Sequence, residues 1–200
     1  MTDIQELDAR ALKTTKSLVD LVDPSMLGLP TPCGSWTLGQ LLAHMTGQNH
    51  GFAAAAREEA PGLEVWADRP VGDDPAGAFA ESAAEVTAAF AEEGVLERSF
   101  WLAEVRGGQF FPAPTAIGFH LLDYVVHGWD VAVSLGRPAE FDTDLLEAVL
   151  PIAGHVPTGP ARERPGAAFA PVLDGPAGAG LFPRILRLLG RDPDWSGPRG

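Results

Sequence analysis

Apolar residues recur every three or four positions along most of this chain, and the recurrence stops at recognisable signals. Between residues 3 and 22, Ile4, Leu7, Ala11, Leu12, Leu18, Val19 and Val22 fall at helical spacing with charged residues between them, which predicts an amphipathic first helix. Asp23-Pro24 ends it, and Leu29-Pro30-Thr31-Pro32-Cys33-Gly34-Ser35 reads as an extended linker, because the residue before a proline is kept out of the helical region. Thr37 and Gln40 stand at capping-box spacing, with Trp36 placed to staple onto Leu41, so a second helix begins at Thr37. Leu38, Leu41, Leu42, Met45 and Phe52 mark its buried side, and His44 lies on the same stripe. Residues 58–62 close this helix, and a loop runs on to Gly72.

Asp74-Pro75 opens a third helix, Asp as N-cap and Pro in the first helical position, with Phe79, Ala83, Val86 and Phe90 as its core stripe up to Gly94. From Val95 to Phe111 the period fades, and Gly107-Gly108 can turn a short hairpin. A fourth helix is expected from Thr115 to Leu135, closed by Gly136 with Pro138 beyond, and a fifth from Thr143 to about Gly154. Residues 156–180 are rich in Pro, Gly and Ala and predict irregular chain. A short helix from Leu181 to Leu189 follows, and Gly190-Arg191-Asp192-Pro193-Asp194-Trp195 caps it, with Trp195 expected to anchor the tail. The sum is an all-α, up-and-down four-helix bundle over residues 1–155, carrying a mostly irregular C-terminal extension, 156–200, that packs on it.

Composition narrows the function classes. A net charge of −13 opposes sequence-independent nucleic-acid binding and anionic membrane surfaces, both of which need Lys and Arg. Six of the fourteen Lys and Arg residues lie after Ala161, so the tail is expected to dock on an acidic body. One cysteine excludes an internal disulfide, no apolar run reaches the length of a membrane span, and the polar opening Met1-Thr2-Asp3-Ile4-Gln5-Glu6 is unlike a signal peptide; a cytoplasmic protein is expected.

Candidate chemistry concentrates in the fourth helix. At ~100° per residue, His120, Asp123, His127 and Asp130 fall within roughly 80° of one another, one row of ionisable groups along an otherwise apolar run. An interior row of this kind needs partners, protons or a metal to offset its desolvation. Asp123 and His127 are an i,i+4 pair able to hold one cation, and His44 on the second helix is a natural third ligand. His127 with Asp130 is a competing pair that spacing alone leaves open, and Asp130 can instead orient a liganding histidine. His120 stands about 10.5 Å of helix rise from His127, too far to share an ion, which makes it a supporting donor or an entrance residue. His120 and Asp130 are accordingly the candidates for proton shuttling or for orienting a bound group. Cys33 has no histidine near it in sequence and reads as a small buried hydrophobe, while His50 and His155 read as solvent-exposed. No phosphate-binding glycine loop or nucleophile elbow is present.

Three stretches carry a family resemblance: Pro30 to Thr37 with Leu41-Leu42-Ala43-His44, then Asp123 to Asp130, and Gly190 to Trp195. They make the chain similar to the DinB-like superfamily of metal-binding bundles, and more closely to the actinobacterial branch resembling the N-terminal domain of mycothiol-dependent maleylpyruvate isomerase. The resemblance implies a divalent metal on His44, Asp123 and His127, with Asp123 standing where the isomerase has Glu. It also implies mycothiol as a cosubstrate. Two imidazoles and a carboxylate favour zinc, and iron or nickel accept the same set. The leading expectation is a metal-dependent enzyme that uses a low-molecular-weight thiol on an electrophilic substrate, for S-transfer or isomerisation. The alternative is a non-enzymatic metal-binding or structural bundle.

Overall fold

A computed structural model describes residues 3–34, 36–57, 60–105, 107–164 and 167–197. Glu58 and Glu59, at the expected end of the second helix, and Ser35 of the linker lie outside the described residues. Six α-helices carry the architecture: α1 (Ile4–Val19), α2 (Leu38–Ala56), α3 (Pro75–Phe90), α4 (Ala113–Ser134), α5 (Thr143–His155) and α6 (Leu181–Leu188). Two short antiparallel strands, β1 (Ser99–Leu102) and β2 (Gln109–Pro112), sit between α3 and α4. The fold is mainly helical, as the periodicity predicts.

Helix starts are set by side chains that take up otherwise unpaired backbone N–H groups. Thr37 and Gln40 form the reciprocal capping box, Thr37 Oγ1 accepting from Gln40 N and Gln40 Oε1 from Thr37 N. Asp74 caps α3 by accepting from Gly77 N, with Pro75 just inside, and Asp3 caps α1. Each such cap is worth about 1 kcal/mol. The fourth helix begins at Ala113 rather than Thr115, because Pro114 fits in a first turn whose N–H groups have no helical partner to lose. Gly136 takes φ +65° and ends α4 as expected. Gly107 and Gly108, at φ +81° and +92°, make the turn that pairs β1 with β2.

The main packing is of α1 on α4 and α2 on α3, with α1 also against α3 and α2 against α4. The connections from α1 to α2 and from α3 to α4 therefore join helices that are not each other's main partners. Close approach is bought with glycine. A Cβ on Gly128 of α4 would lie 2.5 Å from Thr15 Oγ1 of α1, and one on Gly51 of α2 would lie 2.3 Å from the Trp66 ring. Thr15 uses that proximity to donate to the Tyr124 carbonyl at 2.8 Å. Beyond α4, α5 packs on both α4 and α6. The described residues among 156–180 are irregular apart from a 3-10 turn, Pro160–Glu163, and Arg162 pins them by donating to the carbonyls of Val156, Pro157, Ala170 and Leu188.

The glycines differ in a testable way. Gly51→Ala drives a methyl into the Trp66 ring and should destabilise the protein by about 1–3 kcal/mol in urea unfolding. Gly154→Ala in α5 meets open space and should be neutral or stabilising by up to ~1 kcal/mol.

Candidate functional site

The row of ionisable residues on α4 divides between two environments. In the first, His120 is fully buried. Its Nδ1 lies 2.7 Å from Asp8 Oδ1 of α1 and its Nε2 lies 3.2 Å from Asn49 Oδ1 of α2. Phe52 and Phe90 close over the ring edge to face, at 5.0 and 5.2 Å. Both nitrogens are engaged and no solvent reaches the ring, so His120 does not stand at an entrance. The row's regular spacing could not show this, because helical rise separates the two ends and different helices face each.

The second environment lies between α2 and α4. His44, two turns into α2, meets the ring of His127 edge to face with centroids 5.6 Å apart. Trp36 covers another side of His44 at 4.8 Å, and Asp68, from the loop between α2 and α3, brings Oδ1 to 3.4 Å from His44 Nδ1. Burial lowers the pKa of His44 and the neighbouring His127 adds to this, against an opposite pull from Asp123 and Asp68. His44 is therefore neutral at pH 7, the form that offers a lone pair.

His127 is oriented by Asp130, whose Oδ2 lies 3.1 Å from Nδ1. Burial opposes charge on Asp130, yet Arg191 and His127 together hold its carboxyl below the ordinary carboxylate range. An ionised carboxylate only accepts, so Nδ1 carries the proton and Nε2 is the lone-pair nitrogen. This is the arrangement in which a carboxylate fixes the tautomer of a ligating histidine.

Cys33, His127 and Asp130 bring potential metal-ligand atoms within 4.8 Å of one another. That space already holds a cation. Arg191 donates from Nε to Asp130 Oδ1 at 3.0 Å and from Nη2 to Asp130 Oδ2 at 3.1 Å, and Nη2 also donates to Cys33 Sγ at 3.0 Å. A metal bound there would have to evict a buried guanidinium. The donor set left over is His127 Nε2, neutral His44 and Asp123, a half-buried carboxylate whose charge is felt at Cys33, His44, Glu104, Tyr124 and Arg191. Two imidazoles and a carboxylate are donor types that suit a borderline divalent cation.

Several members of the site were not visible in the sequence. Arg191 is buried because Gly190, at φ +74°, turns the chain back after α6 and Arg191 N bonds to the Leu186 carbonyl. The glycine after a helix was legible, but not that the next side chain would reach α4. Glu104, in the turn after β1, accepts from Gln48 at 2.6 Å, and burial pushes its carboxyl up. His50 is not the exposed residue expected: it is largely covered, with Nδ1 2.6 Å from Glu85 of α3. His155 is exposed. Cys33 is half-buried, and burial pushes its thiol up to about 12, more than Arg191 pulls it down.

The fold and the site together define a helical bundle whose second and fourth helices bring two histidines ring to ring. The chain belongs to the family described as the mycothiol maleylpyruvate isomerase N-terminal domain, which it matches over residues 9–132. It is 31% identical over 186 residues to an uncharacterised protein found in two strains of Mycobacterium tuberculosis, covering 91% of this chain and 94% of the relative. Among solved structures, the mycothiol-dependent maleylpyruvate isomerase has a similar fold, with a TM-score of 0.63 at 16% identity over 96% of this chain and 89% of that one. A histidine-to-alanine variant of that enzyme matches with a TM-score of 0.57 at 17% identity over 80% of this chain and 67% of its own. No helix among the described residues is long and apolar enough to cross a membrane.

Two outcomes are expected. Iodoacetamide should label Cys33 at pH 8 more than about a hundredfold more slowly in the native than in the urea-unfolded protein, since a thiol near pKa 12 holds almost no thiolate there. Arg191→Gln should cost about 3–5 kcal/mol at pH 7 by leaving Asp130 buried without its cation. In the wild type, Asp130's contribution is full above its unfolded pKa of ~3.9 and is lost as the pH falls through its lowered native value. The destabilisation by Arg191→Gln, read from urea midpoints, should therefore shrink in acid.

Proposed function

We propose that this chain is a metal-dependent enzyme of low-molecular-weight thiol chemistry, using a mycothiol-type thiol on a small electrophile for S-transfer or isomerisation. The observation that carries this reading is the meeting of His44 and His127 across α2 and α4, with His127 Nδ1 tied to Asp130 and Nε2 left for a ligand. With Asp123 they would hold one divalent cation, zinc by donor softness, and membership of the mycothiol maleylpyruvate isomerase N-terminal domain family supports the thiol. Bound there, such a cation supplies Lewis acidity that favours the thiolate of a thiol whose free pKa is ~8.5.

The chain's own residues set the conditions for that chemistry. Asp130 holds the His127 proton on Nδ1, and Arg191 keeps Asp130 ionised, so the tautomer does not drift during turnover. Trp36 shields one side of His44 from water. Cys33, held as a thiol, does not compete as a nucleophile. Glu104, with its raised pKa and its hold on Gln48, is placed to take or return a proton at the edge of the site.

His44→Ala should lose the metal on dialysis while circular dichroism shows a retained fold. Asp123→Ala should lose it too, whereas Asp130→Asn should weaken it only about 10–100-fold, the usual effect of removing a carboxylate that orients a ligand. Retention of full stoichiometry by His44→Ala would remove that residue from the site. With cobalt in the intact protein, mycothiol or a simple thiol at millimolar concentration should produce sulfur-to-metal charge-transfer absorption that His127→Ala abolishes. An unchanged cobalt spectrum would leave a non-enzymatic metal-binding bundle as the reading.

A further inference from the structure

The C-terminal segment and α6 line an open cavity of about 270 Å³ that includes neither His44 nor His127. Its walls include Val172, Leu173, Pro176 and Leu188, and its only charged lining residues are Arg184 and Arg187 of α6. Two guanidiniums without a lining carboxylate are notable in a chain of net charge −13. Arg187 forms no ion pair among the described residues, and its Nη1 is buried without an acceptor. Arg184 likewise forms no ion pair among the described residues, and guanidiniums at a cavity wall that the protein does not neutralise are the kind of group that a ligand's anionic oxygen would satisfy.

The backbone around Arg187 is fitted to it. Leu173 N donates to the Arg187 carbonyl at 3.0 Å, which draws the irregular segment against α6. Gly175 passes so close that a Cβ there would lie 2.5 Å from Arg187 Cδ and 2.7 Å from Nε. Glycine thus lets the main chain lie along the side chain and holds it to one side of the cavity. Opposite it, Val172 and Leu173 remain 41% and 39% exposed, an apolar surface that the protein itself leaves uncovered.

We infer that this cavity binds a small organic carboxylate with an apolar body, the carboxylate on Arg187 with Arg184 assisting, and the body against Val172, Leu173 and Leu188. An inorganic anion would use the guanidiniums and leave the apolar wall wet; an uncharged alkane would leave both guanidiniums unused. Both features are met by one amphipathic acid, and the cavity's size suits a short alkyl chain or a single aromatic ring. This inference is independent of the thiol chemistry proposed for the other site.

The test is calorimetric titration of the full chain at fixed ionic strength with octanoate, and with acetate, 1-octanol and inorganic phosphate as probes of each half of the recognition. Octanoate should bind saturably with one-to-one stoichiometry, and each of the other three should bind about tenfold more weakly or worse. Arg187→Met, verified as folded by circular dichroism, should weaken octanoate about tenfold or more, and the exposed Arg184→Gln should weaken it less. Backbone amide shifts on titration of the wild type should cluster at residues 172–188, a readout that needs no variant. Absence of saturable octanoate binding at millimolar concentration, shifts centred elsewhere, or unchanged affinity in folded Arg187→Met would each overturn the assignment.

Discussion

One buried hydrogen-bond network ties together all four helices of the bundle. Asp8 of α1 meets His120 of α4, His120 meets Asn49 of α2, and Asn49 donates from Nδ2 to Ser82 of α3 at 2.9 Å. Tyr124, stacked on His120 at 4.3 Å, donates to Asn49 Oδ1 at 2.6 Å and lies 2.9 Å from the Met45 carbonyl. The directions are determined from one end. Ser82 Oγ gives its proton to the Phe79 carbonyl, so it accepts from Asn49, which turns the Asn49 carbonyl to Tyr124 and His120. A carbonyl cannot donate, so His120 Nε2 carries hydrogen toward Asn49. Every member needs its neighbours, because a half-satisfied buried network is worse than an apolar core.

That network fixes the rotation of α4, and α4 then delivers the rest. Gly128 lets α1 lie against α4, and Thr15 locks the contact through the Tyr124 carbonyl. With His120 and Tyr124 committed inward, His127, three residues beyond Tyr124, is presented toward α2 and His44. One turn further, Asp130 receives Arg191 from beyond α6, so the C-terminal segment is coupled to the same helix that carries the site. The tail's excess of arginine has here one specific consequence, a guanidinium fork on a buried carboxylate, rather than diffuse attraction to an acidic surface.

What was legible in the sequence was whatever depends on near neighbours in the chain. The Thr37–Gln40 capping box, the Asp74-Pro75 start, the Gly136 stop and the Gly107-Gly108 turn are local chemistry, and each stands where its residues imply. The inward stripe of α2, including His44, follows from period alone. Pairing across helices does not. Nothing in the spacing of His120 distinguishes a site residue from the partner of Asp8, 112 positions earlier, and nothing near His50 announces Glu85. Arg191 shows the same limit at the longest range, since its partner Asp130 was recognised as an ionisable group needing company while the source of that company lay 61 residues away.

The chemistry of Cys33 separates the two readings of this site. A thiol beside a guanidinium is ordinarily activated, because the cation favours thiolate. Here burial outweighs Arg191, and Asp130 and Asp123 add to it, so the protein's one thiol is held protonated next to the guanidinium that would activate it. Arg191 is spent on Asp130, and through Asp130 on the tautomer of His127. The arrangement therefore invests its strongest buried charge pair in presenting an imidazole lone pair, not in making a nucleophile of the chain. A chain built in that way would need, for thiol chemistry, a sulfur that comes from outside.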